Sequence, residues 1–113
     1  MKVPAAGFAL IEEAKVRRYL LASVHPQGWS KARFFTSVGF RPAAWRRLAA
    51  ALRAHVRDHH YERRVASAYG VKYIVRGELR TPTGRTAEVV SIWIVEHDRR
   101  RPRFVTAYPG GKT

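Results

Sequence analysis

The chain contains no cysteine, which excludes a disulfide framework, thiolate zinc sites and a cysteine nucleophile, and suits a reducing cytoplasm. Acidic residues are scarce too, only eight in 113. Catalysis through a bound divalent cation needs converging carboxylates, whereas Glu12, Glu13, Asp58, Glu62, Glu78, Glu88, Glu96 and Asp98 are scattered along the chain. No metal site and no cofactor are therefore expected. No run of about 18 apolar residues is present, and Met1 to Ala9 lacks a basic stretch leading into an apolar one. The expectation is a protein that neither spans a membrane nor carries an export signal of its own.

What the chain has in abundance is positive charge. Lys and Arg number 22, giving a net charge of +14 and a pI near 11.4, and most of the excess is arginine. Guanidinium is planar, always charged and shaped for bidentate contact with phosphate, so this balance points to a polyanion, above all RNA. The competing reading is a set of crowded, solvated helix faces. Hydrophobic residues make up 46% of the chain, enough for one modest core. One domain over residues 1–113 is expected, ordered from about residue 3 to 109, with Gly110 to Thr113 as a short tail.

Periodicity divides the sequence into a helical half and a stranded half. Glu12 to Ala22 has acids in its first turn and Val16, Tyr19 and Leu20 at helical spacing, before His25-Pro26-Gln27-Gly28 breaks it. Ser30 is placed to cap a second helix with Ala32, Phe34, Phe35 and Val38, which Gly39 ends. Pro42 suits the first turn of a third, whose stripe is Trp45, Leu48, Ala49, Leu52 and Val56. After Tyr61 the period falls to two. A weaker strand near Arg63 to Tyr69, the alternation around Val71 to Arg76, the β-branched run Ala87 to Glu96 and the segment Arg103 to Tyr108 predict an antiparallel meander. The turns are Thr81 to Arg85 and Asp98 to Pro102. The fold class is α+β, with N-terminal helices packed on one face of a three- to four-stranded antiparallel sheet.

His55 and His59 stand four apart on the third helix, a spacing that can place two imidazoles on one metal. No Glu follows His55 in zinc-protease register, and His55 lies beside the apolar stripe, so a structural role is preferred. What remains is metal-free phosphodiester chemistry, in which RNA is cleaved through its own 2′-OH by a general base, a general acid and cations around the phosphorus. Alternation puts Lys72 and Arg76 on one strand face, Ser91 and Trp93 on another, and Thr106 and Tyr108 on a third. If these coincide, the open sheet face presents cations, hydroxyls and an aromatic platform for a base. Lys31 near a helix N-terminus runs against the macrodipole unless an anion arrives there, which hints at a phosphate site next to His25.

The strings HPQGWSKARFFTSVGF (residues 25–40), GVKYIVRGEL with the following TPTGR, VVSIWIVE and PRFVTAYP together resemble a bacterial family, domain of unknown function 6883, over roughly Val3 to Pro109. The order of elements also resembles the barnase, EndoU, colicin and RelE superfamily of toxin ribonucleases. What the resemblance implies is a metal-independent endoribonuclease toxin held in check by a small acidic immunity protein or antitoxin. Its polar positions fall on His25, Lys31, Lys72, Arg85, Thr106 and Tyr108, with Arg85 matching a basic residue that closes the hairpin turn. The glutamate base of barnase-like enzymes has no counterpart here. His25 is the candidate base or acid, Lys31, Lys72 and Arg76 bind phosphate, Trp93 is a base platform, and Thr106 and Tyr108 orient the phosphate or share the proton transfer. Two other readings stay open: a non-catalytic nucleic-acid-binding module, and a basic subunit that binds an acidic protein.

Overall fold

The computed structural model describes residues 1–20 and 29–111. Helix α1 spans Trp29–Ser37 and stops because Gly39, two residues on, takes a φ of 105°, which a side chain would resist. Pro42–Ala44 forms a 3₁₀ turn that leads directly into helix α2, Trp45–Asp58. The apolar stripe of α2 is buried through Leu48, Ala49, Leu52 and Val56, and His55 joins it. The segment expected as a first α-helix is wound as a π-helix over Ala14–Leu20, with Val16 in the core. Its expected end and the His25 to Gly28 break lie outside the described residues.

The second half is a four-stranded antiparallel sheet in the order β1-β2-β3-β4, so the chain is α+β as expected. Strand β1 is Tyr61–Ala66, β2 Gly70–Arg80, β3 Thr86–Glu96 and β4 Arg103–Pro109. The weak strand begins two residues ahead of Arg63 because Tyr61 packs edge-on against Tyr73, ring centroids 5.0 Å apart.

Cross-strand pairing sorts the sheet residues into two sets. Tyr73 opposes Trp93, Val75 opposes Ser91, and Leu79 opposes Ala87. Tyr73, Val75, Leu79, Val89, Trp93, Phe104 and Ala107 form one buried cluster with Phe35 of α1 and Leu48, Leu52 and Val56 of α2. The alternate set, called here the second face, carries Lys72, Ile74 and Arg76 of β2 beside Ile94, Ile92 and Val90 of β3. The N-terminal segment contributes Val3, Ala6 and Ala9 to the core. It then adds one parallel bridge to the sheet at Leu10 and Arg103, with Leu10 N–H on Pro102 O and Phe104 N–H on Leu10 O, both 2.8 Å.

Candidate functional site

Strict alternation along β4 would send Phe104, Thr106 and Tyr108 to the same side. The register instead shifts, Phe104 opposing Trp93 and Thr106 opposing Ile92, with Val105 left over as a bulge. One extra residue re-aims everything after it. Phe104 and Ala107, three apart, are thereby both fully buried, while Thr106 and Tyr108 line up with Ile92 and Val90 on the second face.

Two rows cross that face. In one, Ile74, Ile92 and Thr106 lie side by side; in the next, Arg76, Val90 and Tyr108 do. Lys31, in the first turn of α1, reaches Thr106 from a position remote in sequence, its Nζ donating to Oγ1 at 3.0 Å. Tyr108 is 36% exposed. Lysine ammonium and threonine hydroxyl thus meet at the β4 edge, with Tyr108 two residues further along the same face. A phosphate at that contact would meet one cation and one hydroxyl group, with the Tyr108 phenol on the next row of the face.

Arg76 occupies the same face but is already engaged. Its guanidinium donates to Glu88 Oε2 at 3.2 Å, to Glu62 at 3.3 Å and to the Gly110 carbonyl. Glu88 first, and then Glu62, hold its proton more firmly than usual. Arg76 therefore ties β1, β2, β3 and the chain end together, and its charge is largely answered within the molecule. Lys72 is exposed and opposes Ile94. Arg85, also exposed, lies in the β2–β3 turn. That turn stands at the far end of the hairpin from Lys72, roughly 25 Å of strand away, and the two do not share a site.

Trp93 corrects the sequence reading. It is fully buried, stacks edge-on against Phe104 at 5.2 Å and donates its indole N–H to Ser91 Oγ at 2.8 Å. It offers no face to a base. Ser91 and Trp93 oppose Val75 and Tyr73 on the face that the helices cover, and the run VVSIWIVE hides this because it is apolar on both sides. His25 lies outside the described residues.

His55 and His59 sit where α2 meets β2. His55 Nε2 donates to Gly77 O at 3.0 Å and Nδ1 pairs with Ser91 Oγ at 2.9 Å, so both ring nitrogens are committed. Burial, more than the neighbouring His59, pushes its pKa below the ordinary value. His59 donates Nδ1–H to His55 O at 2.9 Å, and its ring lies over Gly77, where any Cβ would collide with it. A groove of about 570 Å³ opens beside this pair, lined by His59, Arg57, Asp58, Glu78, Arg80 and Thr86 among others. Among the described residues no three His, Cys, Asp or Glu side chains converge on a metal-sized site.

Among solved structures, the fold matches a chain of the contact-dependent growth inhibition toxin–immunity protein complex from Klebsiella pneumoniae 342, with a TM-score of 0.72. The match covers 96% of this chain and 98% of that one at 16% identity, so the likeness is one of fold. No curated protein matches the sequence. Residues 2–111 match the family model described as Domain of unknown function (DUF6883), and to that family the chain belongs.

Proposed function

We propose that this protein is a metal-independent endoribonuclease toxin, neutralised by a small acidic immunity protein or antitoxin. The observation that carries the reading is the Lys31–Thr106 hydrogen bond, 3.0 Å long, beside Tyr108 on one sheet face of a chain with a net charge of +14. The fold shared with a component of a toxin–immunity complex supports the biological setting.

In the proposed reaction a general base takes the proton of an RNA 2′-OH, and the oxygen attacks the adjacent phosphorus. The P–O bond to the 5′-oxygen breaks, and a general acid protonates that leaving oxygen. The products are a 2′,3′-cyclic phosphate and a 5′-hydroxyl. Lys31 answers the charge that builds on the phosphoryl oxygens, Thr106 fixes their orientation through its hydroxyl, and Tyr108 holds or passes a proton at the 5′-oxygen. His25, six positions before Lys31, is the proposed partner in proton transfer. Lys72, Arg76 and Arg85 serve as outlying cations, Arg76 mainly by holding the sheet and chain end in place.

The test is cleavage of RNA by the whole chain in EDTA, with analysis of the ends formed. Activity that persists in chelator and leaves cyclic phosphate ends is expected. His25→Ala should lower the rate about a hundredfold or more with little change in RNA affinity, whereas Lys31→Ala, which removes a phosphate-binding cation, should lower both. Loss of cleavage in chelator, restored by Mg²⁺ or Zn²⁺, would sink the mechanism. RNA binding without cleavage by the parent would instead identify a binding module.

A further inference from the structure

The end of the sheet away from the β2–β3 turn brings together two segments that the proposed chemistry does not use. The turn between β1 and β2 is rigidly held: Ser67 N–H donates to Gly70 O at 2.8 Å, and Ser67 Oγ both donates to Gly70 O at 3.1 Å and accepts from Tyr69 N–H at 3.2 Å. Gly70 presses so closely on β3 that a Cβ there would run into the Val95 carbonyl oxygen. On this fixed turn Tyr69 projects into solvent, 79% exposed. Its backbone carbonyl accepts from His97 N–H at 3.2 Å, which docks the turn onto the β3–β4 loop.

That loop reads His97-Asp98-Arg99-Arg100-Arg101. Arg101 is pinned by its Nε on Phe8 O at 2.7 Å. Arg99 lies 4.0 Å from Glu96 while most of its side chain remains in water, and Arg100 is exposed between them. A cavity of about 450 Å³ opens among Leu10, Asp98, Arg99, Arg100 and Arg101. Lys72, paired with Ile94, stands on the second face in the row next to the one that holds Thr106.

An exposed aromatic side chain on a fixed turn, docked through its backbone onto a loop of three arginines, supplies the two elements that bind single-stranded nucleic acid, a ring to stack a base and cations to follow the phosphates. A base with its flanking phosphates would use the ring and the arginines together. We infer that Tyr69 with Arg99, Arg100 and Arg101 forms a subsite for single-stranded RNA, where one base stacks on Tyr69 while its flanking phosphates lie along the arginine loop. Resting on the RNA reading above, this subsite would hold the strand at one end of the sheet and pass it over Lys72 toward Thr106.

The experiment is a fluorescence-anisotropy titration of a labelled single-stranded oligoribonucleotide with the whole chain, at several salt concentrations. Tyr69→Ala should weaken binding about tenfold with the salt slope unchanged, and Tyr69→Trp should restore it. Arg100→Ala should lower the salt slope by about one. Both residues are exposed, so parent-like melting curves are expected for all three variants. Parent-like binding by Tyr69→Ala, while the parent binds RNA with a steep salt slope, overturns the subsite and leaves the RNA reading intact. Failure of the parent to bind RNA overturns both. Variants that lose affinity for polyglutamate but not for RNA would mark the loop as a protein-docking surface and overturn the subsite.

Discussion

At the scale of single residues, the buried polar chain through His55 shows how finely the core is specified. Because His55 Nε2–H donates to Gly77 O, Nδ1 of the neutral ring accepts from the Ser91 hydroxyl, and the Ser91 oxygen in turn accepts the Trp93 indole N–H. Ser91→Ala would strand two buried groups at once. A loss of about 1–3 kcal/mol is expected, read as a fall of several degrees in the melting temperature. The same residue makes stability depend on pH. Burial lowers the folded His55 pKa below its ordinary 6.5, so below that pH the unfolded chain takes up a proton that the folded chain refuses. Its contribution is fully present above 6.5 and is lost as pH falls toward the lowered folded value. The melting temperature of the parent should drop across that window, and His55→Gln should be less stable throughout but flatter in its response. A parent curve without slope there would contradict the buried neutral ring. Lys31, Thr106 and Tyr108 were legible in the sequence as polar groups on a helix start and on one strand, but the hydrogen bond that joins Lys31 to Thr106 was not. Trp93 was not, because an indole serves equally as a stacking surface or as core with one donor to satisfy.

At the scale of elements, the stripe of α2 and the turns of the meander were legible because their periods are long and unbroken. The bulge at Val105 was not, since nothing in Arg103 to Tyr108 marks the extra residue except its effect, two buried side chains three apart. The π-helical winding of Ala14–Leu20 likewise left no trace in a pattern that reads as an ordinary helix. The seam between α2 and β2 holds another unheralded detail, the imidazole of His59 lying so close to Gly77 that a Cβ there would collide with it. Gly77→Ala should destabilise the protein by about 1–3 kcal/mol as ring and strand are forced apart. If the collision is the cause, His59→Ala in the same chain should recover much of that loss, a coupling that a double-mutant cycle measures. Additive effects would place the strain elsewhere.

For the whole molecule, the unequal charge count makes association with any polyanion a matter of counterion release. RNA affinity should fall linearly with salt on logarithmic axes, with a slope that reports how many phosphates are neutralised. A slope near zero would remove RNA as the partner. Since Arg76 is spoken for by Glu62 and Glu88, Arg76→Ala should change that slope less than Lys72→Ala does.

The topology also carries a consequence for how the chain assembles. Every strand pair in the sheet joins sequence neighbours, so three hairpins form at little cost in loop closure. The bridge between Leu10 and Arg103 is different, because it encloses nearly the entire sequence. Nothing rewards that closure until β4 has docked on β3. In refolding followed by pulsed hydrogen exchange, the amides of β2 and β3 should gain protection first. Those of Leu10 and Phe104 should follow together, as the final stitch that brings the chain's beginning to its last strand.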